Sequence, residues 1–130
     1  MSEIIQRALI VQNPWASLIV GGRKKWELRK RACHIRGRVG IIEAGSGFII
    51  GEADLVDCIN LSSPQVGDDL QRWRSLHMVS PSEMEKYTVN FAWCFENAQR
   101  YKQPRAYEHK KGAQIWVELP DYTASWALPA

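Results

Sequence analysis

The seventeen residues from Asn13 to Arg29, NPWASLIVGGRKKWELR, constrain the fold more than any other stretch, because they combine a helix start, a helix stop and a strand. Asn13 and Pro14 predict the start, since an asparagine side chain caps a first turn and proline lacks an amide hydrogen that would be unpaired there. Gly21 and Gly22 predict the end, because glycine adopts the left-handed C-cap geometry without steric cost. The residues expected on the buried face of this helix are Trp15, Leu18 and Ile19.

The residues after Gly22 predict an extended strand that carries charged groups. Because side chains alternate between the faces of a strand, Lys25, Glu27 and Arg29 are expected on one face and Lys24 on the other. If the chain up to Lys24 still belongs to the turn, the lysine can reach the side of Glu27. We predict that Lys24 and Glu27 border one concave site, with Arg29 bracing the carboxylate or a phosphate.

Positive charge is concentrated between residues 23 and 38, where Glu27 is the single acidic residue, although the whole chain carries a net charge of only +3. A cluster of this density beside a cleft would attract phosphate groups. The same composition is also typical of a solvated strand edge that resists sheet-to-sheet aggregation. The sequence leaves both interpretations open. The basic residues are Arg23, Lys24, Lys25, Arg29, Lys30, Arg31, Arg36 and Arg38.

Short apolar runs separated by glycine-rich turns predict strands along the rest of the chain. We expect Gly51 to mark a bulge and Pro104 to end a strand. One short helix is expected to start at Asp68 or Asp69, and a capping box predicts another over Ser80–Tyr87. The predicted strands are Ala8–Val11, Gly37–Ala44, Phe48–Asn60, Asn90–Tyr101 and Gln114–Leu119.

This pattern favours a mixed β-barrel with a few short flanking helices, α+β or mainly β, because no regular βαβ alternation occurs. At 130 residues the chain is expected to form one domain over residues 1–130, with residues 121–130 as a C-terminal tail. No apolar run reaches the length of a membrane span and no signal peptide is readable, so we expect a cytoplasmic protein without a membrane partner.

The spacing of cysteines and histidines predicts no metal site and no cofactor. Nucleophile-elbow and P-loop patterns do not occur either.

The remaining candidate for chemistry is the pair Lys24 and Glu27. In a partly dry cleft the lysine loses its proton more easily and can act as a base or nucleophile, while the carboxylate shuttles protons. The alternative is a rim salt bridge that contributes little. Trp15 and Trp93 could stack on a base, or could equally belong to the core.

These residues carry a resemblance. Gly22, Lys24, Glu27 and Arg29 match the motif GxKxxExR of the ASCH (activating signal cointegrator homology) family, and Pro-Trp-Ala precedes them at the family's spacing. The later FAWCFENAQRYKQPRAY and AQIWVELP are similar to the family's closing half, so the resemblance extends from about Ala8 to Pro120. It implies a small PUA-like β-barrel, a class associated with RNA and modified bases.

The resemblance also implies possible enzymatic activity. Some small bacterial members are amidohydrolases acting on N4-acetylcytidine, and others have been assigned ribonuclease activity. In the amidohydrolase pattern a threonine stands three positions after the lysine, and this chain has Glu27 at that position. That departure counts against a hydroxyl nucleophile, although Lys24 is retained. The amidohydrolases use a later glutamate, for which Glu96 and Glu85 are the candidates here.

The sequence thus predicts an ASCH domain that binds RNA or a modified nucleoside in a basic and aromatic cleft. The alternative is a hydrolase, an N4-acetylcytidine-type amidohydrolase or a ribonuclease, with Lys24, Glu27 and Glu96 as catalytic residues. A third interpretation is an adaptor whose basic face docks an acidic protein partner. The predicted ligand-binding residues are Trp15, Lys24, Glu27, Arg29, Arg31 and Trp93.

Overall fold

Residues 5–120 are described by a computed structural model, and their strands form a curled mixed sheet of six in the order β2-β5-β4-β3-β1-β6. Strand β1 pairs with β3 in parallel, and the other neighbours pair antiparallel. The curled sheet makes a half-barrel flanked by short helices, which confirms the predicted PUA-like α+β class. The strands are β1 (Arg7–Val11), β2 (Trp26–Arg29), β3 (Gly37–Glu43), β4 (Phe48–Asn60), β5 (Phe91–Ala106) and β6 (Trp116–Glu118).

The first helix, α1 (Trp15–Val20), lies between β1 and β2. Its start differs from the prediction: the N-cap is Pro14 and no side chain caps the turn, so the expected Asn13 cap is wrong. Its end is as expected for a glycine pair, because Gly22 has φ of +79° and takes the left-handed conformation. The chain therefore reverses at Gly22 and enters β2.

Helix α1 packs on strand β4 at a glycine. A Cβ atom on Gly51 would lie 2.6 Å from Val20 Cγ1 and 2.5 Å from the carbonyl oxygen of Gln99, closer than real side chains approach. The predicted buried face is confirmed at Ile19 and in part at Trp15, which is half-buried and packs against the core, whereas Leu18 is half-buried and is not among the residues packed there. The buried residues of α1 are Ala16, Ile19 and Val20.

The remaining helices lie in the β4–β5 connection, residues 61–90. A 3₁₀ helix (Leu70–Trp73) is followed by α2 (Arg74–His77) and α3 (Pro81–Met84). The Asp69 carboxylate caps the first of them, and the Ser80 hydroxyl oxygen accepts from the Glu83 amide at 3.3 Å. Both predicted starts are therefore present, whereas α3 ends three residues before the predicted end.

Strand β5 continues through Pro104, so the predicted break there is wrong. Arg105 pairs with Ile49 and Arg100 pairs with Gly51, which leaves four residues of β5 opposite Ile50 alone. Pro104 lies in this bulged segment, where its backbone does not have to donate a hydrogen bond to the neighbouring strand. The irregularity lies beside Gly51, at the position where a bulge was predicted.

The core lies between α1 and the inner face of the sheet. Its packing fixes α1 and β1 against the sheet, while Trp26 of β2 packs in a separate cluster with Ala92 and Cys94 of β5. The predicted C-terminal tail, residues 121–130, lies outside the described residues. Among residues 5–120, no helix has the length and apolar character needed to cross a membrane. Large buried members of the core are Leu9, Ile19, Ile41, Leu55, Trp93 and Phe95.

Candidate functional site

Lys24 is a charged residue with only 1% of its surface exposed. It lies between the turn at Gly22 and strand β2, where its backbone amide donates to the Leu18 carbonyl at 3.0 Å. Its Nζ donates a hydrogen bond to the backbone carbonyl of His77 and lies 3.7 Å from Glu27 Oε1. Because Lys24 precedes the regular strand, its side chain reaches the side of Glu27, as the predicted turn geometry requires.

Arg29 holds the Glu27 carboxylate from the other side. Its Nε and Nη2 atoms both donate to Glu27 Oε2, at 3.1 and 2.9 Å. Nη2 also donates to the Ile10 carbonyl at 2.9 Å, and the guanidinium carbon lies 5.3 Å from the centre of the Trp93 ring. Arg29 therefore links β2 to β1 and commits one carboxylate oxygen of Glu27, while the other faces Lys24.

These three charged residues line a cavity of about 320 Å³. Trp15 and Tyr87 also line it, and their rings meet edge to face with centroids 5.9 Å apart and an interplanar angle of 85°. Tyr87 is 53% exposed, so this aromatic pair lies where the cavity meets solvent. Polar side chains of the wall are Gln12, Lys30, Thr88 and Gln114.

The β4–β5 connection supplies the opposite wall and fixes Lys24. The buried His77 ring accepts from the Val79 amide at Nδ1 (2.9 Å) and lies 3.0 Å from the Leu70 carbonyl at Nε2, which assigns the neutral tautomer with hydrogen on Nε2. Burial lowers the pKa of His77, in keeping with that neutral form. The Lys25 amide adds a backbone bond of 2.9 Å to the Leu76 carbonyl. The carbonyl that accepts from Lys24 is thus held in place.

Sequence reasoning missed His77 as a residue of the site. Its contact with Lys24 is made by a backbone carbonyl, which every residue type carries, so the sequence contains no signal for it. The His77 ring makes its two hydrogen bonds within the β4–β5 connection and not with Lys24. His77 therefore contributes to the site through the position of its backbone carbonyl.

Burial lowers the pKa of Lys24 from 10.5 to about 8, even though the nearby Glu27 carboxylate favours the charged form. Arg29 lowers the pKa further and Glu83 raises it, both by smaller amounts. At neutral pH the ammonium form predominates, and the free amine becomes accessible just above neutrality. Lys24 can therefore serve as a charged donor and, at slightly higher pH, as a base.

The other predicted site residues lie away from the cavity lining. Trp93 is buried behind Arg29, stacks on Trp116 with centroids 6.0 Å apart, and donates from Nε1 to the Arg31 carbonyl at 2.9 Å. The side chains of Arg31 and Glu96 are exposed and are not part of the lining. The structure thus brings together Trp15, Lys24, Glu27 and Arg29.

Two further features bear on the chemistry of the site. Within the part of the chain that the structure describes, no three histidine, cysteine, aspartate or glutamate side chains cluster closely enough to hold a metal ion. The cysteines at 33, 58 and 94 are free thiols, and burial raises the pKa of Cys94 to about 12. Such a thiol is a poor nucleophile.

Comparison with known proteins agrees with this architecture. A sequence model described as the ASCH domain matches residues 9–105. The fold is similar to a crystal structure of ASCH from Zymomonas mobilis, with a TM-score of 0.70 and 18% identity, covering 88% of this chain and 87% of that one. A Tyr-to-Phe mutant of that protein gives a TM-score of 0.68 at 18% identity, covering 89% and 91%. No curated protein sequence matches the chain.

Proposed function

Because the chain belongs to the ASCH domain family, whose members generally bind RNA, we propose that its cavity binds one base of an RNA or a modified nucleoside. The observation that carries the proposal is the meeting of Lys24, Glu27 and Arg29 on the wall of one cavity that Trp15 also lines. The three charged residues are close together because the turn at Gly22 places Lys24 beside the β2 side chains. A wall of this composition offers hydrogen bonds and an aromatic surface together.

A nucleobase needs this combination, because it has flat apolar faces and a polar edge. Stacking on an aromatic side chain contributes about 1 to 3 kcal/mol per base. The polar edge requires buried partners that are already oriented, and the Arg29 and His77 contacts hold Glu27 and Lys24 before any ligand arrives. The cavity volume also lies at the lower end of the range usual for small-ligand sites, roughly 300 to 1,000 Å³.

Phosphate groups of a bound RNA would meet the exposed basic residues beside the cavity. Lys30 lines the cavity and is exposed, and Arg31 follows it on the surface. Arg29 is a weaker candidate for this role, since Nε and Nη2 already donate to Glu27 and the Ile10 carbonyl. We therefore assign phosphate attraction to Lys30 and Arg31, and bracing of the carboxylate to Arg29.

Hydrolysis is a second candidate, favoured by the pKa of about 8 for Lys24 beside the Glu27 carboxylate. An amine with this pKa can accept a proton near neutral pH, and the carboxylate 3.7 Å away can pass it on. The substrate class would be an acylated cytidine or the RNA backbone. Because Glu96 is exposed and away from the lining, Glu27 is the carboxylate available for this chemistry.

Titration of the wild type, Lys24→Met and Lys25→Met with cytidine, N4-acetylcytidine and short single-stranded RNAs, with product analysis, tests both functions. Lys24→Met keeps the apolar stem and removes the charge, so it should weaken binding by about 1 to 3 kcal/mol. Lys25 is exposed, and its replacement is the matched control. If hydrolysis occurs, Lys24→Met should lower its rate by orders of magnitude. Unchanged affinity and unchanged products in Lys24→Met would refute the site.

A further inference from the structure

Glu27 offers only one of its two carboxylate oxygens to a ligand. Oε2 accepts from both Nε and Nη2 of Arg29. Oε1 lies 3.7 Å from Lys24 Nζ, which is longer than a hydrogen bond and leaves acceptor capacity on this atom. The carboxylate side chain is 10% exposed and lines the cavity. The cavity wall thus presents a single acceptor from this residue.

Lys24 presents a donor directly beside that acceptor. An ammonium group carries three hydrogens, and the His77 carbonyl takes one of them. The nitrogen lies 3.7 Å from Glu27 Oε1, and Lys24 is one of the residues that line the cavity. The wall therefore offers one acceptor and one donor side by side, both held by partners outside the cavity.

We propose that this pair selects a base edge that carries an N–H donor next to an acceptor, with the N–H directed to Glu27 Oε1 and the acceptor to Lys24 Nζ. This assignment rests on the proposed function and names its ligand class. The amino edges of cytosine and adenine and the lactam edges of uracil and guanine meet the requirement. A base without the N–H offers no hydrogen to the carboxylate, and the site would reject it, because a buried charged acceptor would lose its partner.

Because Arg29 fixes the orientation of the side chain at position 27, one substitution of Glu27 should reverse which base edge the site prefers. In Glu27→Gln the amide oxygen must face the two Arg29 donors, because the guanidinium has no acceptor for an amide N–H. The amide nitrogen then takes the position of Oε1 and presents a donor to the cavity. The acceptor becomes a donor while size and shape stay almost the same. Glu83→Gln is the matched control, since Glu83 acts electrostatically on Lys24 but does not line the cavity.

The test uses one short single-stranded RNA with cytosine at its centre and abasic flanking nucleotides, and a second in which pyrimidin-2-one replaces the cytosine, which removes only the amino group. Dissociation constants are measured for the wild type, Glu27→Gln and Glu83→Gln. The wild type and Glu83→Gln should prefer cytosine by about tenfold or more. Glu27→Gln should lose that preference or reverse it.

The outcomes separate this inference from the function on which it rests. Equal affinity of the wild type for both RNAs, combined with weaker binding by Lys24→Met, would overturn the donor-acceptor assignment and leave the base-binding cavity standing. A preference that survives in Glu27→Gln would overturn it as well. No binding of any RNA or nucleoside would remove both. Because the wild-type comparison needs no variant, a failure of Glu27→Gln to fold leaves the proposal testable.

Discussion

Lys24 Nζ donates a hydrogen bond to the backbone carbonyl of His77, a residue 53 positions further along the chain. The bond joins the start of β2 to the β4–β5 connection, which supplies the opposite wall of the cavity. It also explains how a lysine can be almost completely buried, since its ammonium has both this carbonyl and the Glu27 carboxylate within reach. The candidate site is therefore assembled from two distant parts of the sequence.

Replacing His77 by alanine should loosen the connection and the site together. The ring fills a fully buried position and bonds the Val79 amide and the Leu70 carbonyl, so its removal leaves a cavity and two buried polar groups without their partner. We expect a loss of about 2 to 4 kcal/mol in the free energy of unfolding, measured in urea. His34→Ala changes an exposed histidine and should be near neutral. Equal stability of the two variants would contradict this role of His77.

The buried ammonium of Lys24 should make stability depend on pH. Its pKa is lowered in the folded protein, so between about pH 8 and 10.5 the unfolded chain binds more protons, and stability from this group rises with pH across that window. Below pH 8 its cost is fully present and is on the order of 3 kcal/mol. Unfolding of the wild type and Lys24→Met at pH 7 and pH 9.5 isolates the effect. A stability difference between them that does not change with pH would show that the lysine does not titrate there.

Binding and hydrolysis should respond oppositely to pH near 8. A base held by the Lys24 ammonium should bind more weakly as pH rises through 8, because the charged donor is lost. Hydrolysis that uses the free amine should instead accelerate over the same range. Affinity and turnover measured from pH 6.5 to 9.5 therefore identify the role of the lysine. Profiles that are flat in both quantities would argue against any role for its proton.

Salt dependence should locate the phosphate contacts. Replacing Lys30 or Arg31 by glutamine should lower the slope of log affinity against log salt by about 0.7 each, the value for one phosphate contact on a single strand. Lys102→Gln removes an exposed charge from β5, away from the cavity lining, and should leave the slope unchanged. If all three variants give the wild-type slope, the basic residues at 30 and 31 form only a solvated edge.

Most of the correct predictions about the fold and the candidate site came from local features of the sequence. The bounds of β4 were predicted in full, because a glycine turn precedes Phe48 and a polar segment follows Asn60. The meeting of Lys24 and Glu27 followed from the short turn between α1 and β2. These features depend on residues within a few positions of one another, where conformational preference decides the structure.

Features that depend on distant contacts were not readable. Helix α1 approaches β4 closely at Gly51 and buries Ala16 and Val20, which the sequence spacing did not indicate. Trp93 was predicted from its motif position and Glu96 from the later glutamate of the amidohydrolases, and neither argument shows what covers the side chain. In the structure Arg29 lies over Trp93, and Glu96 points to solvent. Tyr87 also lines the site, but it lies in the β4–β5 connection, where no regular periodicity in the sequence predicts which side chains face the cavity.

The position of a bound base tests directly whether the cavity beside Lys24 is the binding site. Nitrogen-15 labelled protein is titrated with a short single-stranded RNA while the indole N–H resonances of Trp15 and Trp73 are followed. Trp15 lines the cavity, whereas the Trp73 indole is bonded to the Val66 carbonyl at 2.8 Å and stacks on Trp26 away from it. We expect the Trp15 signal to shift with the binding curve, the Trp73 signal to stay in place, and Lys24→Met to weaken the response. RNA binding that leaves Trp15 unshifted would show that the base does not enter this cavity.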